Sequence, residues 1–395
     1  MFGVGGRRGR ATPLVSFVAL YAVLYAAFGV ASPFLPALIA ERGVAAEAIG
    51  LLFAAGTAVR LVSAPLWSRI ADRWQALRLA LAIAAIAGAL AALGYPHASS
   101  FWPILAVSLV HAFALAPLAN LADALALVAS RRREAGFEYG WVRGAGSATF
   151  VVGSILAGSA IASYGLGVIV WLQALLLLMV PVAVQWVPPV DAGATADQPV
   201  ADGAILTLLR LPVFRRVVLA AAMILGSHAM HDTFAVIRWR AAGVPPQMIS
   251  LLWSLSVAAE VLVFLRIGPW LVHKLTPAGA IALAAVAGSI RWLVAAVTAD
   301  VVALSMIQPL HGLTFALLHL AAMRLLATSV PSHLAATAQA IYGTVGIGAA
   351  TAVFTLLSGS LYSAMGPRAF AVMSVVCLAS LPVAQSLRSA PSQPR

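Results

Sequence analysis

Charge is what this 395-residue chain has least of: 9% of its residues are Asp, Glu, Lys or Arg, against 62% hydrophobic. A water-soluble domain covers its surface with roughly a quarter charged residues, so lipid is the solvent for most of this chain. Acidic residues are scarcest, 12 Asp and Glu against 24 Lys and Arg, for a formal charge of +12. In a soluble chain that excess would point to nucleic acid. Here the basic residues fall in short stretches between apolar runs, where they set topology and meet anionic lipid, and no nucleic-acid partner is expected. The single cysteine, Cys377, excludes a disulfide framework and a cysteine metal site. Also missing are a nucleotide-binding glycine loop, His/Cys metal spacing and an extramembrane domain, which leaves no room for an ATP-driven pump or a catalytic module. Nor is a cleavable leader expected, because the first apolar run, Leu14 to Ile39, is too long for one.

What fills the chain is apolar runs of bilayer length, about 20 residues each. They fall near 14–39, 47–70, 77–95, 101–129, 139–163, 166–187, 214–239, 247–270, 278–298, 301–327, 335–362 and 367–387. The expected fold is therefore an all-α membrane protein with twelve transmembrane helices in two pseudo-symmetric six-helix bundles. A first bundle spans 1–187, a cytoplasmic linker 188–213 (with Pro188, Pro189, Asp191, Asp197, Pro199 and Asp202), and a second bundle 214–395. Pro65-Leu66-Trp67 ending the second span is echoed by Pro269-Trp270-Leu271 ending the eighth, as duplicated halves require. With the N-terminus inside, the inner loops and ends hold fifteen basic residues, among them Arg7, Arg8, Arg10, Arg131, Arg132, Arg133 and Arg395, while Arg42, Arg240 and Arg368 lie outside. Both termini are thus expected in the cytoplasm.

An ionisable side chain in hydrocarbon costs at least ~2.5–3.5 kcal/mol, so those that persist face a cavity or a partner. Arg266 and Arg324 sit near span ends, where they can snorkel. Glu260, Arg291 and His311 fall at one depth near the midplane on three consecutive spans, which groups them in one site. Asp123, with Asn120 a turn earlier, and Arg143 lie together in the inner half of spans four and five and are expected to pair. The alternative is a salt bridge that only locks helices. His228 and Asp232 are four residues apart on span seven and could share a proton, whereas His231 is read as incidental. Arg60 is the first guess for a carboxylate clamp, with neutralisation of Asp123 as its other reading.

Three stretches carry a family likeness. Phe137-Glu138-Tyr139-Gly140-Trp141-Val142-Arg143-Gly144, preceded by Asp123, resembles the lactose permease branch of proton symporters in the major facilitator superfamily. Arg291, His311 and Glu260 resemble that branch's set linking substrate to proton. Leu252-Trp253-Ser254-Leu255, Ala259-Glu260-Val261, His319-Leu320-Ala321-Ala322-Met323-Arg324 and Leu121-Ala122-Asp123-Ala124-Leu125-Ala126 are similar to the phenylpropionate permease group. Ala64 to Arg73 resembles the superfamily's gating motif without its leading glycine, with Asp72 and Arg73 as the latch. Departures are as informative. Thr314 stands where the lactose permeases have an acidic residue, which leaves Glu260, Asp123 or the His228/Asp232 pair to carry the proton. Asp232 replaces an aromatic residue usual in the phenylpropionate group, and Phe150 takes the place of the ring that stacks on a sugar.

The resemblance implies a monomeric proton symporter of the bacterial inner membrane, importing a small organic solute by alternating access, with no cofactor beyond the coupling proton. Arginines that can reach the cavity, Arg60, Arg143 and Arg291, favour a small organic anion, and the resemblance makes an aromatic carboxylate such as phenylpropionate the expected one. A sugar or nucleoside is the alternative, with drug or metabolite efflux and a non-transporting sensor behind it. Substrate contacts are assigned to Asp123, Arg143, Phe150, Arg60, Asn120, Arg291 and His311, and proton coupling to Glu260, His311, Asp232 and His228.

Overall fold

The computed structural model describes residues 12–131, 137–189 and 203–388, and among them every regular element is helical. Ten stretches are long and apolar enough to cross a bilayer, and two of these, Pro246–Val297 and Ser332–Ser386, hold two helices each. The first is broken at Thr276, held at φ 65 and ψ 160 directly before Pro277. A proline ring keeps its predecessor out of the helical region, so the chain turns there. In the second stretch, Gly366 at φ 57 and Pro367 turn the chain in the same way. Twelve spans result.

In order, α1 is Pro13–Ala31 with Leu35–Glu41, α2 Ala46–Trp74, α3 Leu77–Ala92, α4 Phe101–Leu115 with Leu118–Ser130, α5 Tyr139–Tyr164 and α6 Val168–Trp186. The second set is α7, Pro212–Gly226 with His228–Ala241; α8, Pro246–Leu262 continuing to 275; α9, 277–297; α10, Val301–Ile307 continuing through Leu318–Ser329; α11, Ala335–Ile341 continuing through Ala350–Met365; and α12, Ala369–Ala379 with Leu381–Ser386. A short helix, Ala204–Arg210, occupies part of the stretch read as linker, and α7 starts at Pro212, where proline's fixed φ suits a first helical turn. Arg7, Arg8, Arg10, Arg132, Arg133, Arg395, Asp191, Asp197, Pro199 and Asp202 lie outside the described residues.

Arginines pin helix ends together and show which ends share a face. Arg78 donates to the carbonyls of Val184 and Gln185, both at 3.1 Å, joining the start of α3 to the end of α6. Arg216 donates to Ser386 at 2.9 Å, joining α7 to α12. These ends form the terminal face. On the far face Arg42 donates to the carbonyls of Tyr95 and Ala98. The halves also repeat there: α1 and α7 both end on a glycine in the left-handed region, Gly43 at φ 80 and Gly243 at φ 81, each followed by valine.

The two halves meet most closely toward the far face. A Cβ on Gly50 of α2 would come within 2.6 Å of Gly359 on α11, and one on Gly158 of α5 within 2.7 Å of the Pro246 carbonyl on α8. Ser250 donates to the Ser154 carbonyl at 2.7 Å, and Arg240 pairs with Glu41 at 3.2 Å across the same seam. Glycine is required at these crossings because helices touch backbone to backbone. Three π-helical turns, Val263–Ile267, Leu313–Leu317 and Tyr342–Ala349, all fall in the second half. Each adds a residue to a turn and re-aims the side chains beside it.

Candidate substrate cavity

Between the halves lies a cavity of about 620 Å³, within the usual range for small-molecule sites. The first half contributes an apolar wall of Phe28, Phe53 and Phe150 with one cation, Arg60. The second contributes Asp232, Trp253, Arg291, His228, His231 and His311. Arg60 is exposed to this space, and none of the ion pairs among the described residues involves it. It does not neutralise Asp123.

The second-half polar groups form one chain of contacts. Arg291, only 1% exposed, directs Nη1 at His311 Nδ1 (3.0 Å) and Nη2 at Gln308 Oε1 (3.2 Å). His311 Nε2 lies 3.4 Å from Glu260 Oε2. On the other arm Gln308 Nε2 is 3.3 Å from His231 Nε2, and His231 Nδ1 is 3.2 Å from Asp232 Oδ1. Arginine can only donate, and a glutamine nitrogen can only donate, which fixes both imidazoles. His311 accepts at Nδ1 and donates from Nε2 to Glu260. His231 accepts at Nε2 and donates from Nδ1 to Asp232. Two neutral histidines thus connect one buried guanidinium to a carboxylate at each end.

Glu260, Arg291 and His311 therefore come together, although Glu260 reaches the cavity wall only through His311. Phe150, Arg60, His228 and Asp232 line the cavity as well. Other expectations need correction. Asp123 and Arg143 do not pair: Asp123 accepts from the Tyr21 hydroxyl at 2.5 Å, while Arg143 lies 4.9 Å over the Tyr25 ring and donates to Ser147 at 3.2 Å. Tyr21 and Tyr25 stack at 5.5 Å and hold the two charges apart on α1. Neither residue, nor Asn120, is on the cavity wall. Arg143 nonetheless turns inward to α1 rather than to lipid. His228 and Asp232 share no bond either. The His228 ring packs against Trp292 (5.3 Å) and His311 (5.1 Å), and His231 takes the Asp232 oxygen. His231 is consequently a link in the chain and not incidental. Asp72 and Arg73 are exposed and make no ion pair among the described residues.

Gln308, Tyr21 and Tyr25 escaped a search for charged residues because none of them is charged at neutral pH. The available signal was a Gln-Pro step inside an apolar span and two tyrosines four apart on α1.

The model of the family described as MFS_1 like matches residues 14–372. The chain belongs to this major facilitator family. Members are transporters, not enzymes, which agrees with twelve spans around a cavity. Among curated relatives, a probable 3-phenylpropionic acid transporter of Escherichia coli (strain K12) is 29% identical over 91% of this chain and 94% of its own length. A maltose permease of Geobacillus stearothermophilus is 24% identical over 91% of this chain and 90% of its own. The solved nucleoside transporter NupG superposes with a TM-score of 0.81 at 16% identity, covering 96% of this chain and 100% of NupG. A bacterial homologue of the human lysosomal transporter Spinster, inward-facing and unoccupied, gives 0.69 at 14% identity, covering 97% of this chain and 96% of its own. At those identities the two structures establish the fold alone. The major facilitator architecture accounts for the seam closed toward one face and the cavity behind it.

Proposed function

We propose that this major facilitator protein is a proton-coupled symporter that imports a small aromatic carboxylate across a bacterial inner membrane. The observation that carries this reading is the cavity's make-up: Arg60, without an ion pair among the described residues, shares one wall with Phe28, Phe53 and Phe150, and Arg291 shares the other with Trp253. A guanidinium presents a planar fork to a carboxylate, and the rings take up the apolar body. The terminal face is read as cytoplasmic from the distribution of basic residues, so the closed seam faces the periplasm.

Coupling is placed on the chain from Glu260 to Arg291. As it stands, His311 accepts from Arg291 and donates to Glu260. A proton reaching this pair makes either a neutral carboxyl or an imidazolium. An imidazolium has no acceptor for Arg291, and a protonated Glu260 that donates to Nε2 moves the histidine proton to Nδ1, with the same result. Either way Arg291 loses a contact and is released toward an anion in the cavity. Proton and substrate then favour each other's binding, as symport requires. Asp232 at the other end offers a second protonation point.

The test is uptake into proteoliposomes with an imposed pH gradient, comparing phenylpropionate, maltose and a nucleoside. Saturable phenylpropionate uptake that collapses with the gradient supports the reading. Saturable uptake of the sugar or nucleoside alone replaces it with the second reading, which the maltose permease relative favours.

A further inference from the structure

Asp232 is the one carboxylate among the described residues lining the cavity, and its side chain is 57% exposed there. His231 occupies Oδ1, and no described residue donates to Oδ2. The His231 ring is held 4.9 Å from Trp253, so the carboxylate is fixed at the edge of an aromatic surface. On the opposing half the wall carries Phe53, Phe150 and Arg60, the last also without an ion pair among the described residues. A bound ring spanning these walls would thus meet a guanidinium on one side and an unfilled acceptor on the other. An unsubstituted phenyl ring pressed on Asp232 would strip its water and return no hydrogen bond.

We infer that the substrate is a hydroxylated aromatic carboxylate, its ring hydroxyl donated to Asp232 and its carboxylate taken by the guanidinium of Arg60 and by that of Arg291 once protonation frees it. The inference rests on the proposed import of aromatic carboxylates and selects among them. An ammonium group would also satisfy Asp232. However, the lining holds two arginines against one carboxylate, so a ligand of net negative charge matches it and a zwitterion does not. Asp232 is on this account a specificity-determining residue, and the polar end of the substrate's ring lies against α7.

The experiment is competition binding to purified protein, by ligand-induced thermal shift, with 3-phenylpropionate, 3-(3-hydroxyphenyl)propionate and phenylalanine as probes. They are run on wild type, Asp232→Leu and Asp232→Asn. Wild type should bind the hydroxylated acid about tenfold more tightly than phenylpropionate, the usual effect of one hydrogen bond to a charged acceptor. Asp232→Leu should abolish or invert that ratio while still binding phenylpropionate, and Asp232→Asn, whose amide oxygen still accepts, should keep part of it. Equal affinity for both acids in wild type, or a ratio untouched in Asp232→Leu, overturns the inference and leaves aromatic carboxylate import standing. Tighter binding of phenylalanine overturns the hydroxyl assignment. Binding of none of the three overturns the inference together with the reading beneath it.

Discussion

The two halves handle their polar groups differently. In the first half the charges deep in the helices are held singly: Arg60 has no ion-pair partner among the described residues, Asp123 rests on Tyr21, and Arg143 lies over Tyr25. In the second half Asp232, His231, Gln308, Arg291, His311 and Glu260 touch in series. The backbones differ in the same sense. On α1 and α5, Gly29 and Gly153 let the helices meet backbone to backbone, and a Cβ on Gly153 would come within 2.5 Å of the Ala26 carbonyl. The second half has such a crossing too, a Cβ on Gly312 coming within 2.6 Å of the Ala259 carbonyl, but adds a π turn three residues after Glu260 and another two after His311. A half with isolated charges and no π turn can bind and tilt as a body. Wired charges beside loosened turns can pass a change in protonation to the substrate arginine.

The largest effect should come from Arg291→Ala. The substitution leaves Gln308 Oε1 buried without a donor, at about 1–3 kcal/mol, strips the donor from His311 Nδ1 at the cavity wall, and removes the group both arms share. Uptake should fall to background, and thermal unfolding of the detergent-purified protein should shift clearly downward. Uptake near wild type would show that the second-half chain is not a working unit.

Next is Gly50→Val at the seam, where no Cβ fits against Gly359. Forcing α2 from α11 there opens the far face. An engineered cysteine on the far-side cavity wall should become labelled from outside several times faster, with transport reduced in step. An unchanged labelling rate would mean the seam is not the closed gate.

A more selective break is Glu260→Gln. The amide oxygen still accepts from His311, so the chain survives, but the carboxylate that takes up a proton, or stabilises one on His311, is gone. Substrate counterflow in sealed vesicles should persist within a few-fold of wild type, while accumulation driven by a pH gradient disappears. Retained accumulation would move coupling to Asp232 or to the first half.

The fold was legible because it follows from hydropathy. Twelve runs of bilayer length need no side-chain detail. Depth arithmetic also grouped Glu260, Arg291 and His311, since helical rise alone sets height in the bilayer. Rotation and rotamer were not legible. Opposite charge and equal depth imply that Asp123 and Arg143 pair, yet the tyrosines of α1 stand between them, and nothing in spans four and five records this. The i, i+4 rule put His228 and Asp232 on one face of one helical segment, but it says nothing of the competing partners, Trp292 and His311 for one and His231 for the other. Gln308 was invisible for a different reason: a neutral residue attracts no notice in a search for charges, although here it is the joint between two charged arms.

The contrast between halves is sharpest in double-mutant cycles, where the expected effect is smallest and most discriminating. Asp123→Asn and Arg143→Gln remove groups that share no bond. Their effects on substrate affinity should add to within about 0.5 kcal/mol, as for independent sites. Glu260→Gln and His311→Asn remove two groups that touch at 3.4 Å within one chain. Their coupling should exceed about 1 kcal/mol, because once either end is changed the other has less to lose. Equal coupling in both cycles would mean that the stacked tyrosines transmit charge as well as the histidines do, and the first half would then also be a connected relay.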